Sequence, residues 1–145
     1  MFSGEFEHTI DPKGRVIVPA VFREELGDKP YVSLGMDGCL YLYPESAVKD
    51  LEDRLSKLPD TKDNRKLKRF FLTKMDEAEL DKQGRILIKL KKREFAGLEK
   101  DVVFAGVGNK IEIWSKAGYE AEDDYDDIED VFERISDVNG AGFRL

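Results

Sequence analysis

Polar and apolar positions alternate through Glu5-Phe6-Glu7-His8-Thr9-Ile10, the period of a strand with one face on a core. Asp11-Pro12-Lys13-Gly14 interrupts it with turn chemistry: proline presets φ at the second position and glycine tolerates positive φ. Arg15-Val16-Ile17-Val18 then reads as the returning strand. Pro19 suits the first position of a short helix through Phe22 and Leu26, and Gly27 is its stop. Two strands follow, Tyr31 to Gly35 and Cys39 to Tyr43, around the hairpin signal Asp37-Gly38. The period then changes. Val48, Leu51, Leu55 and Leu58 stand at 3-4-3 spacing, which predicts a helix from near Pro44 to just before Pro59.

After the break Pro59-Asp60-Thr61, the segment from Asp63 to Lys74 carries Leu67, Phe70 and Phe71 on one helical face. The opening order then returns. Ala78-Glu79-Leu80 leads into a turn, Arg85 to Ile88 leaves it, Lys89 to Ala96 takes the short-helix position, and Gly97 ends it. Val102 to Gly106 and Lys110 to Trp114 bracket Val107-Gly108-Asn109, a second hairpin one residue longer than the first. Ser115 can cap a last helix whose Tyr125, Ile128, Phe132 and Ile135 repeat the 3-4-3 spacing. Ser136 to Leu145, rich in glycine and small residues, reads as a loose tail.

The chain therefore states one unit twice. Asp11-Pro-Lys-Gly14-Arg15-Val-Ile-Val18 returns as Asp81-Lys-Gln-Gly84-Arg85-Ile-Leu-Ile88, with acid, glycine and arginine at fixed spacing. The division this predicts is a first unit over 5–47, a helical connector over 48–75, a second unit over 76–119, and an acidic helix and tail over 120–145. A single unit has only short strands and would leave sheet edges and an apolar face open. An internal pseudo-dimer with interleaved hairpins around one core solves this, and gives an α+β fold.

Composition narrows the chemistry. With 145 residues, 41% apolar and 38% charged, the chain can bury one ordinary core or two small ones. No apolar run is long enough for a membrane span or a signal peptide. The lone Cys39 forms no internal disulfide, and with His8 as the single histidine no His/Cys metal shell is expected. Gly106-Val107-Gly108 lacks the following helix of a dinucleotide fingerprint. No cofactor and no catalytic group are expected.

The net charge of −7 looks unsuited to a polyanion until it is mapped. Residues 120 to 137 hold ten acids against Arg134, net −9, which leaves +2 on the remainder. Cations gather around Lys62 to Lys74 and in the acid-free run Lys82 to Arg93. That distribution permits a nucleic-acid partner.

The paired D-x-x-G-R motifs, with Arg15-Val-Ile-Val-Pro19 and the text from Gly97-Leu-Glu-Lys-Asp-Val-Val to Ile111-Glu-Ile-Trp114, resemble the MraZ family over nearly the whole chain. The resemblance implies tandem SpoVT/AbrB-like swapped-hairpin units closing a pseudo-dimeric, mainly β barrel flanked by helices. It implies ring-like homo-oligomers in the cytoplasm, associated with the nucleoid. They would bind short direct repeats of double-stranded DNA in the promoter of a division and cell-wall gene cluster, typically as repressors. Carried over by position, Arg15 and Arg85 are the principal DNA contacts, supported by Lys13, Lys82 and Gln83. Asp11, Gly14, Asp81 and Gly84 orient the motif. One departure stands out: the family pattern usually has proline where this chain has Lys89, which leaves open how the second short helix starts.

Other readings of the same residues stay in play. A D-x-x-G turn can be purely structural, with a capping acid and a solvated arginine. The acidic last segment can be a solvated face, or can capture a basic protein partner as in an antitoxin-like adaptor. An enzyme built on the Asp/Arg pairs lacks a nucleophile, a metal set or a cofactor loop.

Overall fold

Strand β1 (Glu5–Thr9) leaves its own unit for a partner 96 residues along the chain, running antiparallel to β7 (Asp101–Gly106) with Glu5 opposite Ala105 and Phe6 opposite Phe104. The computed structural model describes residues 1–139. Within it β2 (Arg15–Ile17), α1 (Ala20–Leu26), β3 (Tyr31–Leu34), β4 (Leu40–Tyr43), α2 (Glu45–Ser56) and α3 (Lys62–Leu72) follow β1. The second half runs β5 (Asp76–Glu77), β6 (Arg85–Leu87), α4 (Leu90–Ala96), β7, β8 (Ile111–Ser115), α5 (Lys116–Glu122) and α6 (Ile128–Asn139).

The exchange is reciprocal. Just as β1 crosses to β7, β5 of the second half pairs with β3 of the first. Hairpins β3–β4 and β7–β8 meet through β4 and β8, where Leu40 faces Ile113 and Leu42 faces Ile111. The result is one six-stranded sheet in the order β1-β7-β8-β4-β3-β5. A two-stranded ribbon, β2 against β6, covers it. The ribbon is tied at both ends across the halves: the Val18 amide donates to the Gly84 carbonyl at 2.9 Å and the Ile88 amide to the Gly14 carbonyl at 2.8 Å. This is an α+β pair of interleaved hairpin units, as the duplication predicts.

Strand alternation distributes the core. Leu40, Leu42, Val102, Phe104, Ile111 and Ile113 face the ribbon's Val16, Val18, Ile86 and Ile88 in one buried cluster. Tyr41, Tyr43, Val103 and Trp114 point to the other face, where Leu55 of α2 and Phe71 of α3 cover them. At about 1.5–3 kcal/mol per fully buried large apolar side chain, these layers are the main force holding the halves together.

Lys89 does not disturb the second short helix. It occupies the N-cap with φ −65° and ψ 151°, the proline-compatible backbone that Pro19 adopts at φ −49° and ψ 131°. Pro19 itself is thus the cap rather than the first helical residue. The C-terminal region differs from the single helix the spacing predicts. Ser115 Oγ does accept from the Gly118 amide at 3.0 Å, but α5 stops at Glu122 and the chain re-enters helix only at Ile128. Asp123, Asp124, Asp126 and Asp127 explain the break. Aspartate side chains compete for nearby amides, as Asp124 Oδ1 does for the Asp126 N–H at 3.1 Å. Tyr125 therefore sits between two helices. Ser136 to Asn139, expected as tail, continue α6. The rest of the expected tail, 140–145, lies outside the described residues. Among the described residues no helix is long and apolar enough to cross a membrane.

Candidate nucleic-acid interface

The two repeated motifs form the same turn. Asp11 Oδ1 accepts from the amides of Lys13 and Arg15, both at 2.9 Å, while Oδ2 takes the Arg15 Nε–H at 2.7 Å. Asp81 does the same with Gln83 and Arg85, at 2.9, 2.9 and 2.8 Å. The backbone closes each loop, with Gly14 donating to the Asp11 carbonyl and Gly84 to the Asp81 carbonyl. These bonds need the ionised carboxylate. The amide of Arg15 above all, then its side chain, holds the Asp11 carboxyl below the usual range against the opposing effect of desolvation. Arg85 does the same to Asp81.

Each acid thus fixes its arginine by Nε. Among the described residues the Nη1 and Nη2 atoms of Arg15 and Arg85 make no hydrogen bond, and both side chains stay partly exposed. The β2–β6 register then sets their relation: Arg15 lies opposite Leu87 and Ile17 opposite Arg85. Because Val16 and Ile86 point into the core, Arg15, Ile17, Arg85 and Leu87 share the outer face. The two arginines stand one diagonal apart, roughly 7–8 Å between backbones. Ile17 and Leu87, with 41% and 53% of their surface exposed, lie between them. Lys13, Lys82 and Gln83 are exposed on the two loops at the ends of this ribbon.

The glycines are required for two reasons. Gly14 and Gly84 have φ of 89° and 75°, a region L-residues avoid. Each is also capped by an arginine of the opposite unit: a Cβ on Gly84 would lie 2.5 Å from Arg23 Cζ, and one on Gly14 would lie 2.4 Å from the Ile88 carbonyl oxygen and 2.8 Å from Arg93 Nε. Arg23 Nε donates to the Val18 carbonyl and Arg93 Nε to the Ile88 carbonyl, both at 2.9 Å. Every loop is consequently composite, with its acid, glycine and arginine from one unit and a covering guanidinium from the other. Neither Arg23 nor Arg93 belongs to the D-x-x-G-R motif. The internal repeat does carry the signal, since Arg23-Glu24 and Arg93-Glu94 keep the same distance from Arg15 and Arg85 while Phe22 has become Lys92.

Cys39 and His8 lie outside the two loops. Burial first, then Glu112 and Asp37, pushes the Cys39 thiol up to about 12, and its Sγ–H donates to the Met36 carbonyl. Desolvation, then Arg23, lowers His8. Among the described residues no group of three His, Cys, Asp or Glu could hold a metal ion.

A tandem swapped-hairpin pair presenting two identical acid-glycine-arginine loops on one ribbon defines the class. The family model "MraZ protein, putative antitoxin-like" matches the chain twice, over residues 1–70 and 71–138. Curated relatives carry the name "Transcriptional regulator MraZ". One from Lachnoclostridium phytofermentans is 46% identical over 137 residues, covering 94% of this chain and 96% of that protein. One from Thermoanaerobacter sp. (strain X514) is 49% identical over 142 residues, covering 96% and 99%. One from Heliobacterium modesticaldum is 51% identical over 117 residues, covering 80% and 82%. The chain belongs to the MraZ family.

Proposed function

We propose that this chain is a transcriptional regulator that binds double-stranded DNA through the outer face of the β2–β6 ribbon. The observation that carries the reading is the shared ribbon face, with two arginines anchored at Nε and free at the Nη edge. A two-stranded ribbon fits the major groove, an arginine fork matches guanine, and exposed Ile17 and Leu87 suit thymine methyl groups. Arg15 and Arg85 read bases, and Lys13, Lys82 and Gln83 support them from the loops. Asp11, Gly14, Asp81 and Gly84 hold the geometry. Arg23 and Arg93 add charge beside the glycine turns.

One such ribbon spans few bases, so affinity comes from repetition. The chain assembles as a ring-like homo-oligomer and occupies short direct repeats in a promoter, where linked weak sites gain avidity when their spacing matches. The regulated cluster is one of cell division and cell-wall synthesis, the action is repression, and the protein works at the nucleoid. No chemical step is involved.

The test is a salt-titrated binding assay on duplex carrying spaced repeats, comparing wild type with Arg15→Ala/Arg85→Ala. Loss of discrimination in the double variant is expected, since each base-reading arginine contributes about 1–3 kcal/mol of specificity. Unchanged specific binding would overturn the site. Wild-type affinity no tighter than the non-specific level, roughly 10⁻⁴–10⁻⁶ M at physiological salt, would overturn the function.

A further inference from the structure

The segment that leads into the acidic helix and an apolar groove lie at opposite ends of the sheet. Near the β5 edge, Leu34, Lys74, Leu90, Lys91 and Phe95 line an open cavity of about 510 Å³. Leu90 and Phe95 are 57% and 43% exposed, and Phe95 meets Phe70 of α3 edge-on at 6.4 Å. Lys89 and Lys92 at this groove already share Asp76, whereas Lys74 and Lys91 have no ion-pair partner among the described residues.

At the β1–β7 edge, α5 is fastened by the Tyr119 hydroxyl donating to Glu5 and by Lys116 Nζ at 3.2 Å from Glu7. Tyr125, beyond α5, lies beside Gly4, Ala105 and Gly106. α6 follows, with Ile128 and Ile135 on one stripe at 50% and 43% exposure and with Glu129, Asp130 and Glu133 around them. An amphipathic helix with apolar anchors seven residues apart and an acidic surround complements an apolar groove with a cationic rim.

We infer that α6 of one copy seats in the Leu90–Phe95 groove of the next. The separation of the two features on the sheet makes the contact intermolecular, and the internal pseudo-symmetry does not supply a second groove. At the matching place in the first half, Phe6 and Phe22 pack edge-on at 5.2 Å where the second half has Asp76 and Lys92. Among the described residues each chain thus has one donor helix and one acceptor groove. A head-to-tail contact of that kind closes into a ring when its rotation permits. The inference rests on the self-association proposed above and supplies its interface.

The test is a mixing experiment without DNA, so the DNA reading can fail separately. Phe95→Glu disables the groove and Ile128→Glu/Ile135→Glu disables the helix. All of these side chains are exposed, and circular dichroism with thermal melting checks the fold of each variant. Mass measurement by light scattering should give an oligomer for wild type and a monomer for each variant alone. An equimolar mixture should give a dimer, because one intact helix and one intact groove remain. Lys91→Glu, which leaves the apolar contact in place, should weaken assembly about tenfold or more. A monomeric wild type, which would follow if the groove took another protein or the chain's own helix, overturns the inference. Variants that keep the wild-type mass, or a mixture that stays monomeric, overturn it equally.

Discussion

Lys92 is buried against Asp76 at the position where the first repeat packs Phe22 against Phe6. Lys89 Nζ completes the cluster at 3.0 Å from the second carboxylate oxygen. Removing only the acid leaves a lysine with 7% of its surface exposed and no carboxylate. Asp76→Ala should therefore destabilise the fold by about 1–3 kcal/mol, below the range for a fully enclosed pair because the acid is partly open to water. Asp76→Phe/Lys92→Phe, which writes the first repeat's aromatic contact into the second, should recover most of the loss. Urea unfolding of the three proteins checks this, and a double variant no more stable than Asp76→Ala would contradict the equivalence of the sites.

The same pair sets an acid limit. Burial raises the Asp76 carboxyl, but the bonds from Lys92 and Lys89 outweigh it and the net shift is downward from 3.8. A carboxyl that is more acidic folded than unfolded adds stability that is complete above its unfolded pKa. That contribution disappears as the pH falls through the folded value. Asp11 and Asp81 shift the same way. These three carboxyls should consequently add no pH dependence near neutrality and lower stability below about pH 4, while the lowered His8 removes some stability as the pH falls from the ordinary histidine value of 6.5. In Asp76→Ala the acid limb should be shallower, as read by urea midpoints between pH 2 and pH 7.

The motif glycines separate two costs. Gly97 is left-handed, with φ 63° and ψ 29°, and has open space where a Cβ would stand, so Gly97→Ala should cost only the left-handed backbone penalty, about 1–2 kcal/mol. Gly84→Ala puts a side chain at positive φ as well and also forces Arg23 off the turn, since the new methyl would stand 2.5 Å from its Cζ. Gly84→Ala should lower the melting temperature more than Gly97→Ala. It should also impair DNA binding, which Gly97→Ala leaves intact. Calorimetry and a binding titration on the same samples distinguish the two.

Much of this was legible in the residues because local chemistry and tertiary demand agree. The turn at Asp11-Pro-Lys-Gly14, the hairpin at Asp37-Gly38 and the stops at Gly27 and Gly97 all follow from backbone rules that context does not override. The repeat forces the interleaving, because strands of two to six residues have no other way to bury both faces. The break at Asp123 to Asp127 was not legible. Helical apolar spacing continues through it, and only the aspartate side chains, by bonding amides locally, decide against the helix. Arg23 and Arg93 were hidden for a different reason: their partners are glycines in the opposite unit, a relation visible only once the ribbon is formed.

Asp11 and Asp81 bind both the turn amides and the arginine fork, so Asp→Asn changes one function more than the other. An asparagine oxygen can still accept the amides of Lys13 and Arg15, but the ionic hold on Nε is gone. In Asp11→Asn/Asp81→Asn the arginines should sample more conformations while the protein gains two units of positive charge. Non-specific DNA affinity should rise while the ratio of repeat to random duplex falls roughly tenfold. Paired titrations on the two DNAs check this. A preserved ratio would show that the acids only shape the turn.

On the proposed DNA-binding reading, Arg23 and Arg93 occupy a different place in the binding energy from Arg15 and Arg85. Their Nε atoms are spent on the carbonyls of Val18 and Ile88, and their guanidinium groups lie against the opposite glycine turns rather than on the ribbon's outer face. With no carboxylate paired to either among the described residues, they offer fixed positive charge at the edges of the proposed interface, where phosphates would flank the groove. Phosphate contacts carry no sequence information but release counterions, each changing the slope of log K against log salt by roughly 0.9. Arg23→Gln/Arg93→Gln should therefore weaken binding to repeat and random duplex alike and flatten the slope by about 2. Arg15→Ala/Arg85→Ala should instead collapse the ratio between the two DNAs. If the glutamine pair lost discrimination with an unchanged slope, Arg23 and Arg93 would have to be counted among the groups that read bases.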